Sequence, residues 1–323
     1  MLSRRTLAAA CVLLIAQAAY SQQDTDAKYV KDLNGGDVRT QFTAATRLGG
    51  FRTKLSVNAL VTRLTTPEAN AVVRSACATS LGKLRVNETY GVLHNAAKDT
   101  KEPGIVRASC IRSMAGIKQN EAVEDLATIL KTDKSTFATR TLVEVLGGMT
   151  DRDRVTTAIA PLLKDPDSAP PAIAILGAVG GPGTVIPLAE MLKDRVSMIR
   201  LAAIEALGKV KDPRAVPPLM KFYENANEAE KGEILSALSE YDKPEVVVLM
   251  MKQLLDVNSL KALRLQSALG LGKLRARPAI KAMVALMLHP KESLEIREAC
   301  TKALGNFNSY DDYAVVVLIG ALT

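Results

Sequence analysis

Between Asp194 and Glu224 the apolar residues fall into two short stripes on either side of a polar turn. Ile199, Ala202, Ala203, Ala206 and Leu207 stand at i, i+3, i+4, i+7 and i+8, which places them on one face of a helix. Leu201 and Ile204 widen that face, as expected where a helix packs against neighbours on more than one side. Gly208 is expected to end the helix in the left-handed conformation. Asp212 should cap the next helix, with Pro213 in its first turn. Val216, Leu219, Met220 and Tyr223 make the second stripe, and Pro217 and Pro218 must lie close to its start. Such a hairpin of about thirty residues has too little core to fold alone. It predicts neighbours of its own kind.

Those neighbours run through the chain. Aligned on the residue after the last leucine or methionine of each first helix, the copies give Gly49, Gly82, Ala115, Gly147, Gly177, Gly208, Ser239, Gly272 and Gly305. The steps are 33, 33, 32, 30, 31, 31, 33 and 33 residues, a mean of 32. Arginine after an apolar residue recurs as Val73-Arg74, Val106-Arg107, Ile199-Arg200, Leu263-Arg264 and Ile296-Arg297. Second helices close in similar phrases that end on Asp165, Asp194 and Asp256, each placed to cap the next first helix. The fold class predicted is all-α, an α-solenoid (superhelix) of about nine two-helix repeats over residues 37–323. A polar lead over 22–36, helical from Asp26 to Leu33, precedes it. Repeat seven departs most, with Glu240, Asp242 and Lys243 in its turn and Gly232 early in its first helix, so a bend or a specialised surface is expected there.

The run Ile199-Arg200-Leu201-Ala202-Ala203 through Ala206-Leu207-Gly208 to Asp212-Pro213-Arg214-Ala215-Val216-Pro217-Pro218-Leu219 resembles the HEAT family. More narrowly it resembles the short bacterial HEAT-like repeats also met in phycobilin lyases. The resemblance covers roughly residues 37–323 and implies a surface for binding other proteins. It also brings an alternative, a lyase-like or chaperone-like helper activity. Enzymes of this repeat class such as deoxyhypusine hydroxylase hold iron on His-Glu pairs, and this sequence has none.

Composition narrows the class further. Hydrophobic residues make up 48% of the 323, but aromatics only 4%, with no tryptophan. A core of leucine, valine, isoleucine and alanine suits close-packed helices better than a β-sandwich. Residues 1–21 have the three parts of a secretory signal. Arg4 and Arg5 open it, an apolar run extends from Leu7 to Ala19, and Ala19 and Ser21 are small residues placed for cleavage before Gln22, with Ala16 and Ala18 an alternative site. The arginine pair loosely resembles a twin-arginine signal, and Cys11 lies in a poor lipoprotein box. The formal net charge of +8 would become +6 with that segment removed. That is moderate: it allows weak attraction to anionic surfaces and does not indicate nucleic acid, for which stacking aromatics are also scarce. No transmembrane anchor is expected, since the last apolar run, 314 to 322, is nine residues long. The predicted location is exported, in a bacterium the periplasm or the medium.

Catalytic constellations are hard to assemble from these residues. Cys77, Cys110 and Cys300 each follow a repeat arginine by three positions, where other repeats place Ala203 or Ser267. They read as small packed residues with free thiols. His94 and His289 lie nearly two hundred residues apart, so neither a zinc site nor a Ser-His-Asp triad has a ligand or base to draw on. The glycine-rich run from Gly177 to Thr184 lacks the lysine of a phosphate loop and aligns without a gap on the turn at 208–215. No cofactor or metal is expected.

Two surfaces remain. The turns within repeats share one edge, where Lys209, Lys211 and Arg214 in repeat six and Lys273, Arg275 and Arg277 in repeat eight make basic clusters. Repeat seven interrupts them with Glu240, Asp242 and Glu245. They could bind anionic groups on a protein or an envelope polymer. The C-terminal end offers Val315, Val316, Val317, Leu318, Ile319 and Leu322 as a docking face for a partner or a second copy. The function expected is an exported, non-enzymatic scaffold for protein–protein interaction.

Overall fold

The computed structural model describes residues 26–133 and 135–307. Helix α1 covers 26–35. The helices that follow in the first half are α2 (Val38–Leu48), α3 (Lys54–Leu64), α4 (Ala71–Leu84), α5 (Tyr90–Lys98), α6 (Gly104–Lys118), α7 (Val123–Thr132), α8 (Thr136–Gly147) and α9 (Arg152–Ile159). The second half continues with α10 (Ala169–Val179), α11 (Pro182–Met191), α12 (Ser197–Lys209), α13 (Val216–Tyr223), α14 (Glu228–Leu238), α15 (Pro244–Leu255), α16 (Lys261–Lys273), α17 (Ile280–Leu288) and α18 (Leu294–Leu304). No strand occurs among the described residues. The chain divides into two compact units, one ending at Arg154 and the other beginning at Val155.

Each unit is a stack of helical hairpins, the fold of an α-solenoid. In the first, α2, α4, α6 and α8 pack in succession; in the second, α10, α12, α14, α16 and α18 do the same. Within each unit the even-numbered first helices therefore line up against one another, and the second helices α3, α5, α7, α11, α13, α15 and α17 each pack on the first helix that follows. The predicted stripes supply the core: Ala203, Ala206 and Leu207 of α12 and Val216, Leu219 and Tyr223 of α13 are buried. Pro217 and Pro218 fall in the first turn of α13, where a missing N–H costs nothing.

The repeat glycine does a different job from the one its position suggests. Gly208 lies inside α12, with no positive φ. A Cβ there would meet the Cα and Cβ of Ala237 at 3.0 Å, and one on Gly272 would meet the Cα of Ala303 at 2.5 Å. Gly82 faces Ser113 and Gly177 faces Ala206 in the same way. In each case the neighbour is the small residue two positions before the next repeat's landmark, so these glycines set how closely first helices stack. The left-handed turn residue comes three positions later, and in three repeats it is not glycine: Arg85, Lys211 and Arg275 have φ of 50°, 56° and 50°. Gly180, in the glycine-rich run, holds the same place at φ 65°, so that run is an inter-helix turn.

The aspartates at second-helix ends also act elsewhere. Asp194 and Asp256 accept from Val196 N and Asn258 N, two residues on, and Asp165 accepts from Ser168 N, three residues on. They close the turn between repeats and leave the next first helix uncapped by them, because the turn holds their carboxylates a residue or more short of its free N–H groups. Asp212 does accept from Arg214 N, as expected of a cap.

The repeat arginines are what tie one hairpin to the next. Arg74, Arg107, Arg264 and Arg297 each donate Nε–H to a carbonyl ten residues back: Leu64, Ala97, Leu254 and Met287. Those carbonyls end the preceding second helix and would otherwise lack a donor. Forward, Arg74 reaches Glu102 at 2.6 Å, Arg107 reaches both carboxylate oxygens of Asp133, and Arg264 reaches Glu292 at 2.6 Å. Arg200 bonds the Asp194 carbonyl at 2.8 Å and the Glu230 carboxylate at 2.7 Å. One side chain thus joins three successive repeats.

These pairs make stability depend on pH. The hydrogen bonds from Arg264, together with the backbone N–H of Ser293, hold the Glu292 carboxyl below its ordinary 4.5 despite desolvation. A carboxyl depressed in the folded state stabilises above its unfolded pKa, and that contribution is lost as pH falls through the folded value. The melting temperature should therefore fall below about pH 4.5, and the R264M variant should show a shallower fall. Thermal scans from pH 6 to pH 3 test this; parallel curves for the two proteins would contradict it.

The three cysteines are free and buried. Burial pushes the Cys77 and Cys110 thiols up to about 12 and that of Cys300 up to about 11. Iodoacetamide at pH 8 should leave all three unmodified in the folded protein and label all three in urea, as read by peptide mass mapping. Labelling of any one under native conditions would contradict this packing. Cys11 lies outside the described residues.

Candidate functional site

Second helices carry two kinds of face. In α11, Thr184, Val185 and Leu188 point into the core, as does Leu192 just beyond the helix. Ile186, Ala189, Glu190 and Lys193 lie on the other side, and Ile186 is 71% exposed. Facing them across the gap are Pro218, Lys221 and Phe222 of α13 and Asn225 just beyond it, spaced i, i+3, i+4 and i+7. Between these two helices runs a half-open groove of about 560 Å³. Its walls are mostly apolar, from Pro182, Val185, Ile186, Leu192, Pro218 and Phe222. Its polar margin is Arg214 near the N-terminal ends of the helices and Glu190, Lys193 and Lys221 near the C-terminal ends.

A second groove of about 580 Å³ lies between α13 and α15 and shares Lys221 with the first. Met220, Leu249 and the ring of Tyr223 line it, with Lys231 and Lys252 opposed by Glu224 and Asp256. The Lys231 ammonium stands 5.6 Å over the Tyr223 ring, and Tyr223 donates its hydroxyl to Gln253. Burial raises the Tyr223 phenol above its ordinary value, so it remains a donor. On α15 itself Val248 is 66% exposed. The face of α11, α13 and α15 is thus a grooved, apolar and cation-edged surface.

The basic turns are less free in space than in sequence. Lys209 pairs with Glu205 at 2.5 Å, Arg214 holds Asp212 at 3.0 Å, and Lys273 pairs with Glu240 at 2.5 Å. The acidic turn of repeat seven and the basic turn of repeat eight therefore neutralise one another in part. Lys211, Arg275 and Arg277 are exposed, the first two at left-handed turn positions. Lys273 and Arg275 share a shallow hollow with Gly305, Asn306 and Phe307. Of the six basic residues only Arg214 lines the α11–α13 groove. Repeat seven is distinctive for Tyr241, which is buried in its turn and donates to the carbonyl of Leu207 in α12. Burial pushes that phenol up to about 12. Val315, Val316, Val317, Leu318, Ile319 and Leu322 lie outside the described residues.

Ile186, Lys193, Lys221 and Phe222 carry the groove and do not stand out in the repeat alignment. A signal was there in α11: Ile186 is an apolar residue on the side opposite the buried stripe. Among the described residues, no group of three or more histidine, cysteine, aspartate or glutamate side chains is placed to hold a metal ion. None of their helices is long and apolar enough to cross a membrane.

Comparison with known proteins agrees with the hairpin stack. Residues 161–239, which hold the α11–α13 groove, match the family model described as HEAT repeats. That stretch carries HEAT repeats. Among solved structures, importin beta superposes with a TM-score of 0.58 at 14% identity, over 86% of this chain and 46% of that one. The karyopherin Kap121p, bound to the extreme C-terminus of the protein phosphatase Cdc14p, superposes at 0.54 and 12% identity, over 86% and 41%. At such identities the likeness concerns the fold alone, and this chain spans less than half of either. The CpcE–CpcF phycocyanin lyase complex of Nostoc covers 91% of this chain and 93% of its own at 19% identity, with a TM-score of only 0.30, too loose a superposition to argue from. No curated protein sequence matches the chain.

Proposed function

We propose that this HEAT-repeat protein is an exported, non-enzymatic scaffold that binds other proteins on the second-helix face of α11, α13 and α15. The observation that supports this best is the pair of adjoining grooves sharing Lys221, open to solvent and edged with charge. A stack of hairpins offers such a face in a fixed register, which suits recognition by complementarity. The available side chains support a binding role over a chemical one: among the described residues the Cys77, Cys110 and Cys300 thiols are buried and protonated, and His94 and His289 belong to different units. Export rests on the residues of the 1–21 segment.

Two experiments test this reading. I186D puts a carboxylate in the α11–α13 groove and V248D puts one on the exposed flank of α15, neither touching the buried stripe. Each should cut retention of the native partner from an envelope extract at least tenfold while leaving the melting temperature unchanged, and full retention by both variants would contradict the proposed face. Protein recovered from the periplasm or medium of the native host should begin at Gln22 or close to it; recovery of the whole chain from the cytoplasm would overturn export.

A further inference from the structure

The α11–α13 groove has a charge layout that narrows what it can hold. Three cations edge it, Arg214 toward one end and Lys193 and Lys221 toward the other, against a single lining carboxylate, Glu190. Arg214 is fixed by two hydrogen bonds to Asp212, each 3.0 Å, which orient its guanidinium and offset its charge. Lys193 and Lys221 are exposed and form no ion pair among the described residues. An ammonium group beside an apolar wall favours a ligand carboxylate, because the wall displaces water and strengthens the attraction. The apolar wall between the two ends needs aliphatic or aromatic side chains to cover it, Ile186 above all.

Dimensions point to a chain-like ligand. The groove volume, about 560 Å³, lies in the range of roughly 300–1,000 Å³ typical of ligand pockets. It does not close, however, and Lys221 stands between it and the groove against α15. Arg214 and Lys221 are seven residues apart along the chain, about 10 Å of helix, and Lys193 lies just beyond the 10-residue α11, so the charged ends stand roughly 10–15 Å apart. An extended segment covers that distance in about three to five residues.

Resting on the protein-binding reading, we infer that the α11–α13 groove receives an extended peptide segment of a partner, with apolar side chains between two carboxylates about three to five residues apart. The carboxylates meet Arg214 at one end and Lys193 with Lys221 at the other, and the apolar side chains cover Ile186 and Phe222.

Random dodecapeptides displayed on phage and selected on the immobilised full-length protein test this directly. Enriched sequences should pair Asp or Glu with apolar residues at that spacing. Synthetic versions should bind the K193E/K221E variant at least tenfold more weakly, weaken with added salt, and bind R275E as they bind the wild type. Enrichment of peptides without carboxylates, undiminished binding to K193E/K221E, or no enrichment at all would overturn the inference. Self-association of the wild type that is abolished by I186D would overturn it in favour of a second copy as the occupant. A native partner that is lost on V248D but held by K193E/K221E would end this inference and leave the protein-binding reading standing.

Discussion

Replacing Arg107 by methionine should lower the stability of the first unit by about 3–5 kcal/mol, the largest loss expected from a single exchange in this protein. Arg107 is 2% exposed, and its partner Asp133 is nearly as deeply buried. The guanidinium bonds both oxygens of that carboxylate and the Ala97 carbonyl, so it satisfies one buried charge and one helix end together. Without it Asp133 keeps, among the described residues, only the Ser135 N–H, and a buried carboxylate so poorly supplied with donors is costly. The double variant R107M/D133L removes both charges and should recover more than half of the loss, since an apolar pair of similar volume can replace a buried ion pair. Urea unfolding followed by circular dichroism reads both. If the double variant is no more stable than R107M, the arginine contributes through packing and not through the pair. R200M should cost less, because Arg200 is only partly buried.

The second large effect separates two glycines of the same unit. G82A should cost about 1–3 kcal/mol, because the added methyl would stand 2.8 Å from the Cα of Ser113, and backbone cannot step aside as a side chain can. G91A should instead gain about 0.5 kcal/mol, since nothing lies within 4 Å of that position and alanine loses less chain entropy on folding. The same urea curves measure both. A neutral G82A would mean that α4 and α6 stand further apart than described.

That pair of glycines also shows what sequence reading could and could not reach. The period near 32, the hairpin and its proline-led second helix were all legible, because they follow from apolar spacing and from proline chemistry, which act within a few residues. Gly208 was marked at the right place for the wrong cause: a helix-ending glycine and a helix-stacking glycine look alike until the next helix is in position. The arginines were visible as a recurrence. Their partners were not, since Glu102 and Asp133 lie 28 and 26 residues on, in turns of variable length. The charged turns illustrate the same limit, because Lys273 and Glu240 read as opposed patches and meet as an ion pair. The α11–α13 groove belongs to two repeats at once, and no single copy of the motif contains it.

Site-specific photo-crosslinking of the full-length protein in its native host tests the protein-binding face most directly. A benzophenone side chain placed at Ile186 or Val248 should give one discrete, repeatable adduct with another protein, and the same group at Lys302 on α18 should give none. Adducts equally abundant at all three positions, or absent from both Ile186 and Val248, would contradict a protein-binding face on α11, α13 and α15.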